Sequence, residues 1–193
     1  MTEPGLRERK KARTRAAIQE QAMRLFREQG YTETTVDQIA AAADVSPATF
    51  FRYFPSKEDT VLYDAMDPMM IEVYRAQPPD LTPMQALRHT MRVGLGQLTE
   101  EQLETERERM RLFESSPELR PRMMENYYNT IAMLAGLAAE RTGREPGDLA
   151  VRVWAGAVVG VVMAAYVHSG EKLDEAFGTI DEALALLEAG LPL

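Results

Sequence analysis

The sequence contains no cysteine, so disulfide bonds and thiolate metal sites are excluded. Its two histidines, His89 and His168, have no partner at the HExxH spacing of a zinc site. No GxSxG segment occurs, and Gly94-x-Gly96 lacks the third glycine of a dinucleotide-binding loop. These absences make an enzyme the weakest class of function, and we expect no cofactor, no metal and no catalytic residue.

A membrane-spanning segment is also missing. Residues 153–167 form a stretch of fifteen residues without a charge, whereas a membrane span needs about 20. The charged N-terminus is not followed by the apolar segment of a signal peptide. We therefore expect a cytoplasmic protein that does not enter a membrane.

Negative charge dominates the chain but is unevenly distributed. The formal net charge is −8, yet residues 1–57 hold ten Lys or Arg and seven Asp or Glu. The remaining residues hold twelve basic and twenty-three acidic side chains, a balance of −11. A basic head on an acidic body is typical of a protein that touches DNA at one end only.

The stretch from residue 34 to 59 predicts three short helices separated by two sharp turns. Thr35 with a glutamine three residues later forms a capping box. Ser46 caps the second helix, Pro47 occupies its first position, and Pro55 stops it. Two short helices joined by a tight turn can place one helix in a DNA major groove, although an ordinary pair of packed helices has the same spacing.

A basic cluster precedes this stretch. Alone it would be a solvated tail, but beside a helix-turn-helix it favours contact with phosphates or the minor groove. The first helix is predicted over residues 12–29, with Gly30 as its C-cap. The cluster consists of Arg7, Arg9, Lys10, Lys11, Arg13 and Arg15.

Residues 45–57 read VSxxTxFxYFPSK, and residues 26–40 read FxxxGYxxTTVxxIA. Both resemble the helix-turn-helix signature of the TetR family of transcriptional regulators. Asp44 and Ala48 stand where glycine is frequent in that family, and Phe51 where tyrosine is commoner. The resemblance implies phosphate contacts by Thr35, Tyr53 and Lys57, and we expect base reading by Thr49, Phe51 and Arg52. The full set of expected DNA-binding residues is Arg13, Thr35, Ser46, Pro47, Ala48, Thr49, Phe51, Arg52, Tyr53 and Lys57.

No period-two strand pattern is visible, so the predicted fold class is all-α with about nine helices. A three-helix DNA-binding head is followed by a helical body for ligand binding and dimerisation. Asp67-Pro68 predicts either a kink in the fourth helix or a stop and restart. We place the boundary there, which gives domains 1–66 and 67–193.

Methionine is unusually frequent in the body. The chain has twelve methionines, and nine of them fall between Met66 and Met133. Methionine suits an adaptable apolar pocket, although plain core packing explains each one equally well. TetR bodies commonly bind a small effector, so the resemblance favours a pocket. Its expected lining is Met66, Met70, Met91, Met110, Phe113, Met123, Tyr127 and Trp154.

The last two helices carry the features of a dimer interface. Gly156, Gly160 and Ala164 form a smooth face on one, and an apolar stripe marks the other. Packing within the subunit is the alternative, but TetR regulators dimerise through their last two helices. The predicted interface is Gly156, Gly160, Ala164, Phe177, Ile180, Leu184 and Leu187.

We therefore predict a homodimeric TetR-type regulator that acts as a repressor. It binds double-stranded operator DNA, and a small, largely apolar effector releases it from that DNA. The alternative is a DNA-binding regulator without a small-molecule ligand, controlled by a protein partner or by abundance. The segment ERTG at residues 140–143, with Leu149, Trp154, Phe177 and Leu184, resembles the body of mycofactocin-type regulators.

Overall fold

The computed structural model describes residues 5–64, 66–96, 99–169 and 173–192. The regular secondary structure in these ranges is helical, with no strand, which confirms the predicted all-α class. The α-helices are α1 (Leu6–Gln29), α2 (Val36–Ala42), α3 (Pro47–Tyr53), α4 (Glu58–Leu62), α5 (Asp67–Arg75), α6 (Pro83–Leu95), α7 (Glu100–Ser115), α8 (Arg120–Thr142), α9 (Leu149–Ser169) and α10 (Leu173–Glu188). A 3-10 helix, Pro117–Leu119, lies between α7 and α8.

The chain divides into two compact units. The first contains Met1–Ala65 and Glu108–Met123, and the second contains Met66–Arg107 and Met124–Leu193. The predicted boundary near Asp67 concerns the division of function and stays a prediction. The structure adds that the segment from Glu108 to Met123 belongs to the same compact unit as the helix-turn-helix.

Two helices begin where the sequence predicts a cap, and a third begins with a cap of the same kind. Thr35 and Gln38 form both hydrogen bonds of a capping box at the start of α2. Ser46 accepts a hydrogen bond from the Thr49 backbone N–H at the start of α3. Thr82 repeats the capping box at α6, so local sequence sets these helix starts.

The turn between α2 and α3 depends on a left-handed residue. Asp44 has a φ of 52°, in the region that favours glycine. The turn closes through hydrogen bonds from the backbone N–H of Asp44 to Ala41 and from that of Val45 to Ala40. Aspartate tolerates this conformation better than most residues, which explains how Asp44 replaces the glycine that is frequent in the family signature.

The first helix is longer than predicted. It begins at Leu6 rather than at about residue 12, and the Arg9 backbone N–H donates to the Gly5 carbonyl at 3.1 Å. Arginine, lysine and glutamate are good helix formers, so the basic cluster extends the helix instead of forming a tail. Its side chains therefore lie at helical spacing on α1.

The core of the first unit joins all its helices. Phe50, Phe54, Ile18, Ile39 and Val61 have no exposed surface. Three further members of the same cluster are Phe26, Phe113 and Leu119, and the last two come from the segment 108–123.

The predicted fourth helix is two helices. It stops at Leu62 and restarts at Asp67, with Pro68 in the first turn. Of the two alternatives at Asp67-Pro68, the structure has the stop and restart. Asp67 is the first residue of α5 and not its cap, because Met66 occupies the cap position without a side-chain hydrogen bond.

In the second unit, Arg141 ties the turn between α5 and α6. Its guanidinium donates to the carbonyls of Tyr74, Gln77, Pro78 and Leu81 at 2.7–3.3 Å. The cation also lies 5.1 Å from the centroid of the Tyr74 ring. Within the described part of the chain, no helix is long and apolar enough to cross a membrane.

Candidate nucleic-acid interface

One side of α3 is anchored and the other is uncovered. Phe50 in the helix and Phe54 just beyond it are fully buried. Phe51, by contrast, is 54% exposed and meets the edge of Phe50 at 5.5 Å. The solvent-facing residues of the helix are Pro47, Ala48, Phe51 and Arg52. A large exposed apolar side chain among small ones suits contact with base edges, because phenylalanine and alanine can pack on thymine methyl groups.

The polar groups of α3 are partly oriented by their neighbours. Ser46 Oγ donates to Thr49 Oγ1 at 3.0 Å, which leaves the Thr49 hydroxyl hydrogen available to a ligand. The guanidinium of Arg52 lies 5.4 Å from the Tyr53 ring centroid. Arg52 is exposed, so its fork of donors is accessible to a guanine edge.

A groove of about 790 Å³ runs beside α3, and α1 supplies its basic wall. Its lining residues are Arg7, Lys10, Lys11, Thr14, Val45, Thr49, Arg52 and Tyr53. A neighbouring cavity of about 570 Å³ is lined by Arg9 and Arg13 on α1 and by Asp44 at the turn. The basic cluster thus lies beside the helix-turn-helix, where it can neutralise phosphates of the same duplex.

Arg15 differs from the rest of the basic cluster. Its guanidinium lies 4.0 Å from the Tyr63 ring centroid and 5.1 Å from that of Phe54. It also donates to the Tyr53 carbonyl at 3.3 Å. This cation holds the end of α3 against α1, so it stabilises the head more than it extends the phosphate-binding surface.

Lys57 is likewise engaged within the protein. Its Nζ donates to the carbonyls of Tyr31, Thr32 and Thr34 at 2.9, 3.4 and 3.1 Å, and it lies 4.3 Å from the Tyr31 ring centroid. An ammonium has three donors, and these carbonyls occupy all of them. The sequence suggested a phosphate contact for Lys57, but in this structure its ammonium ties the loop before α2 to the start of α4.

Thr35 and Tyr53 keep more of their surface. The Thr35 hydroxyl caps α2 and the residue is exposed, whereas Tyr53 is half-buried along the basic groove. With Arg13, Ser46 and the α3 residues, they belong to the first unit. Lys57 lies in the same unit but faces the loop at residues 31–34.

Two family models match the chain. Residues 18–63 match the bacterial regulatory proteins of the tetR family, and residues 81–192 match the MftR C-terminal domain. The chain belongs to the TetR family. This confirms both resemblances drawn from the sequence, and it identifies a transcriptional regulator rather than an enzyme.

Relatives with this architecture include named regulators. The TetR-family chain is 37% identical to TcmR of Streptomyces glaucescens over 152 residues, which are 75% of this chain and 67% of TcmR. It is 28% identical to the transcriptional regulator MftR of Mycobacterium tuberculosis over 190 residues, covering 95% and 93% of the two chains.

Solved structures share the fold at lower identity. Thermus thermophilus FadR in complex with lauroyl-CoA superposes with a TM-score of 0.57 at 24% identity, covering 93% of this chain and 95% of FadR. A SmeT–triclosan complex gives a TM-score of 0.54 at 21% identity, with coverages of 89% and 90%.

The eight residues expected to line a TetR effector pocket are not gathered in one unit. Phe113 is buried in the core of the first unit, where Met110 and Met123 pack against the same cluster. Of the others, Met91, Tyr127 and Trp154 are partly buried and pack against the core of the second unit. Periodicity could not separate these groups, because a methionine facing either core has the same spacing.

Met66 and Met70 lie at the start of α5 and are half-buried. The Met70 sulfur occupies the space that a Cβ on Gly94 would need. Met70 therefore fills the notch that the glycine leaves on α6, which is a packing role.

The residues expected at the dimer interface also fall into two groups, exposed residues on α9 and buried residues on α10. On α9, Gly160 and Ala164 are exposed and Gly156 is half-exposed, next to Val153, which is 60% exposed. On α10, however, Ile180 and Leu184 are 5% and 0% exposed because they pack into the core of the second unit. They stabilise the subunit itself, which corrects their assignment to the interface.

Leu186 and Leu187 lie on different sides of α10. Leu187 packs partly against the same core, while Leu186 is 52% exposed on the other side of the helix. The Phe177 side chain lies outside the described residues. The stripe that the sequence singled out is therefore the inner face of α10, and Leu186 is an exposed residue that the pattern missed.

Replacing Lys57 with alanine should lower both stability and DNA affinity. Three charge-assisted hydrogen bonds would be lost and three loop carbonyls would lose a donor, so we expect the free energy of unfolding to fall by about 1–3 kcal/mol. Urea denaturation followed by circular dichroism measures this change.

Lys10→Ala is the matched control, because Lys10 is exposed on α1. It should leave stability within about 0.5 kcal/mol of the parent and flatten the salt dependence of DNA binding by about one counterion per subunit. Equal stability of the two variants would show that Lys57 is not a structural tie.

Proposed function

We propose that this TetR-family chain is a homodimeric repressor that binds a palindromic operator and is released by a small, largely apolar effector. The DNA-binding part of this proposal rests on one observation. The solvent-exposed side of α3 lies beside the groove whose basic wall is formed by α1. One helix presents Phe51 and Arg52 to base edges, and the adjacent helix offers cations to the phosphates. This division of labour supports sequence-selective binding in the cytoplasm.

Two copies of α3 related by a two-fold axis read a pseudo-palindrome. Their half-sites are then about one helical turn of DNA apart, or a multiple of it. Arg52 is the base reader with the greatest capacity for discrimination, because a bidentate arginine–guanine contact contributes about 1–3 kcal/mol against the wrong base.

Arg52→Ala should relax sequence preference at one position of each half-site. The measurement is selection from random double-stranded DNA, followed by sequencing of the bound pool for the parent and the variant. Arg144→Ala is the matched control, because Arg144 pairs with Asp148 in the second unit. An unchanged consensus for Arg52→Ala would identify another residue as the reader.

The exposed face of α9 supports the homodimer. Gly160 is exposed, and a Cβ added there would meet no atom of the subunit within 4 Å. Together with Val153 and Ala164, it gives a smooth apolar surface that a second α9 can approach closely. A side chain at Gly160 would thus disturb a partner without disturbing the subunit.

Gly160→Leu should weaken the dimer by overpacking, at a cost of about 1–3 kcal/mol. Analytical ultracentrifugation at micromolar protein should show a larger monomer fraction than for the parent. Gly147→Leu is the control, since Gly147 is also exposed and open to a Cβ. Equal dissociation constants for both variants would place the interface elsewhere.

An apolar effector is supported by the contents of the second unit. Met91, Tyr127 and Trp154 are only partly buried around a core of aliphatic residues. The net negative charge of the body produces an electrostatic field that disfavours an anionic effector. A hydrophobic or cationic molecule, or an acyl chain with its polar head in solvent, fits better. FadR in complex with lauroyl-CoA and SmeT in complex with triclosan have a similar fold, and they support an effector with an apolar part.

Release from DNA requires that the effector prefer a conformation in which the two heads lose operator spacing. The shift in operator affinity cannot exceed the difference between the effector's affinities for the two conformations. A regulator without a small-molecule ligand, controlled by a protein partner or by abundance, is the alternative.

Lauroyl-CoA and triclosan are suitable first probes to distinguish a regulator with a small-molecule effector from one without. A probe that binds should raise the melting temperature, dissociate the operator complex in a gel-shift assay and change the emission of Trp154, the sole tryptophan. The variant Trp154→Phe provides the fluorescence blank. If a probe releases the operator but leaves Trp154 emission unchanged, Trp154 does not line the effector pocket.

A further inference from the structure

Residues 108–123 make polar contacts with several parts of the helix-turn-helix unit. Glu108 pairs with Arg27 of α1 at 3.1 Å. The Thr32 hydroxyl donates to Glu118 at 3.3 Å, in the loop before α2. These contacts lie within the first unit, which also buries Phe113 from the same segment.

Arg122 makes the shortest of these contacts with the head. Its Nη2 lies 2.7 Å from Asp59 Oδ1, in the first turn of α4. The other carboxylate oxygen, Asp59 Oδ2, accepts a hydrogen bond from Ser56 Oγ at 2.7 Å. The Asp59 carboxylate is therefore held from two sides, by Arg122 at the beginning of α8 and by Ser56, two residues before α4.

The first turn of α4 in turn holds the loop that leads into α2. Lys57 donates to the carbonyls of Tyr31, Thr32 and Thr34. Glu58 accepts a hydrogen bond from the Tyr31 phenol at 2.8 Å, and burial together with this bond raises the pKa of Tyr31 well above its ordinary value. The protonated phenol is the donor in this hydrogen bond at neutral pH.

The same turn is also close to α3 along the chain. The recognition helix ends at Tyr53, and the sequence reaches Ser56 two residues after the buried Phe54. The start of α4 thus connects the end of α3, the loop before α2 and the beginning of α8. A displacement of this turn would move both helices of the DNA-binding motif.

We propose that Arg122 is a positioning residue for operator binding. Through Asp59 it holds the first turn of α4, and through that turn it sets the placement of α2 and α3. All the contacts that carry this inference lie within the first unit. The operator part of this inference rests on the proposed function, whereas the positioning of α2 and α3 does not.

The first test uses the protein without DNA. Arg122→Met keeps the length and apolar stem of the side chain and removes its charge, and Asp59→Asn removes the partner charge. Hydrogen exchange should show faster exchange of the α2 and α3 amides in both variants. The control is Arg120→Met, since Arg120 is exposed at the same end of α8. Parent-like exchange in Arg122→Met and Asp59→Asn would overturn the positioning role, whether or not the protein binds DNA.

The second test measures affinity for an operator selected by the parent protein. Both single variants should bind about five- to tenfold more weakly, and the double variant should be no weaker than either single one. The slope of log affinity against log salt should stay unchanged, because Arg122 neutralises no phosphate in this arrangement. A flatter slope would make Arg122 a direct DNA contact, and additive losses would show that it does not act through Asp59; either outcome overturns the proposal.

Fold stability is measured alongside. A parent-like circular dichroism spectrum with a melting temperature within a few degrees is expected, because partly exposed ion pairs contribute little to the stability of the fold. A parent protein that selects no DNA sequence would contradict the proposed function, while the exchange test still decides the role of Arg122.

Discussion

Burial of Phe50 and Phe54 is the constraint on which the DNA-binding surface depends. A seven-residue helix such as α3 is not stable alone in water, because its nucleation cost exceeds the few hydrogen bonds it gains. Two fully buried aromatic side chains bury enough apolar surface to offset that cost. Once they are anchored, the remaining side chains of α3 are free to stay exposed, which is what lets Phe51 and Arg52 meet another molecule.

The cations of the head fall into two groups with different physical roles. Arg15 and Lys57 face rings and carbonyls inside the protein, where they join separate helices and loops. Lys10, Lys11 and Arg13 are exposed on α1 and can exchange their hydration for phosphate contacts. Counting charge along the sequence combines the two groups, so it overstates the number of cations available to DNA.

Local features of the fold could be predicted from sequence, and distant ones could not. The caps at Thr35 and Ser46 depend on residues three positions apart, which a pattern can show. The inner face of α10 was recognised as apolar, but burial of Leu184 within the subunit rather than between subunits depends on which helix it meets. In the same way, Phe113 joins a core that is formed mainly by residues some sixty or more positions earlier in the chain.

Membership of Glu108–Met123 in the head's compact unit changes how regulators of this architecture can be recombined. A chimera made by cutting the chain after residue 66 would pair one protein's helix-turn-helix with another protein's version of Phe113 and Leu119. The foreign side chains would have to fill the same volume against Phe26 and Val61, and a mismatch would leave a cavity or a clash. Exchange of DNA specificity between relatives therefore calls for transplanting two separate stretches of sequence together.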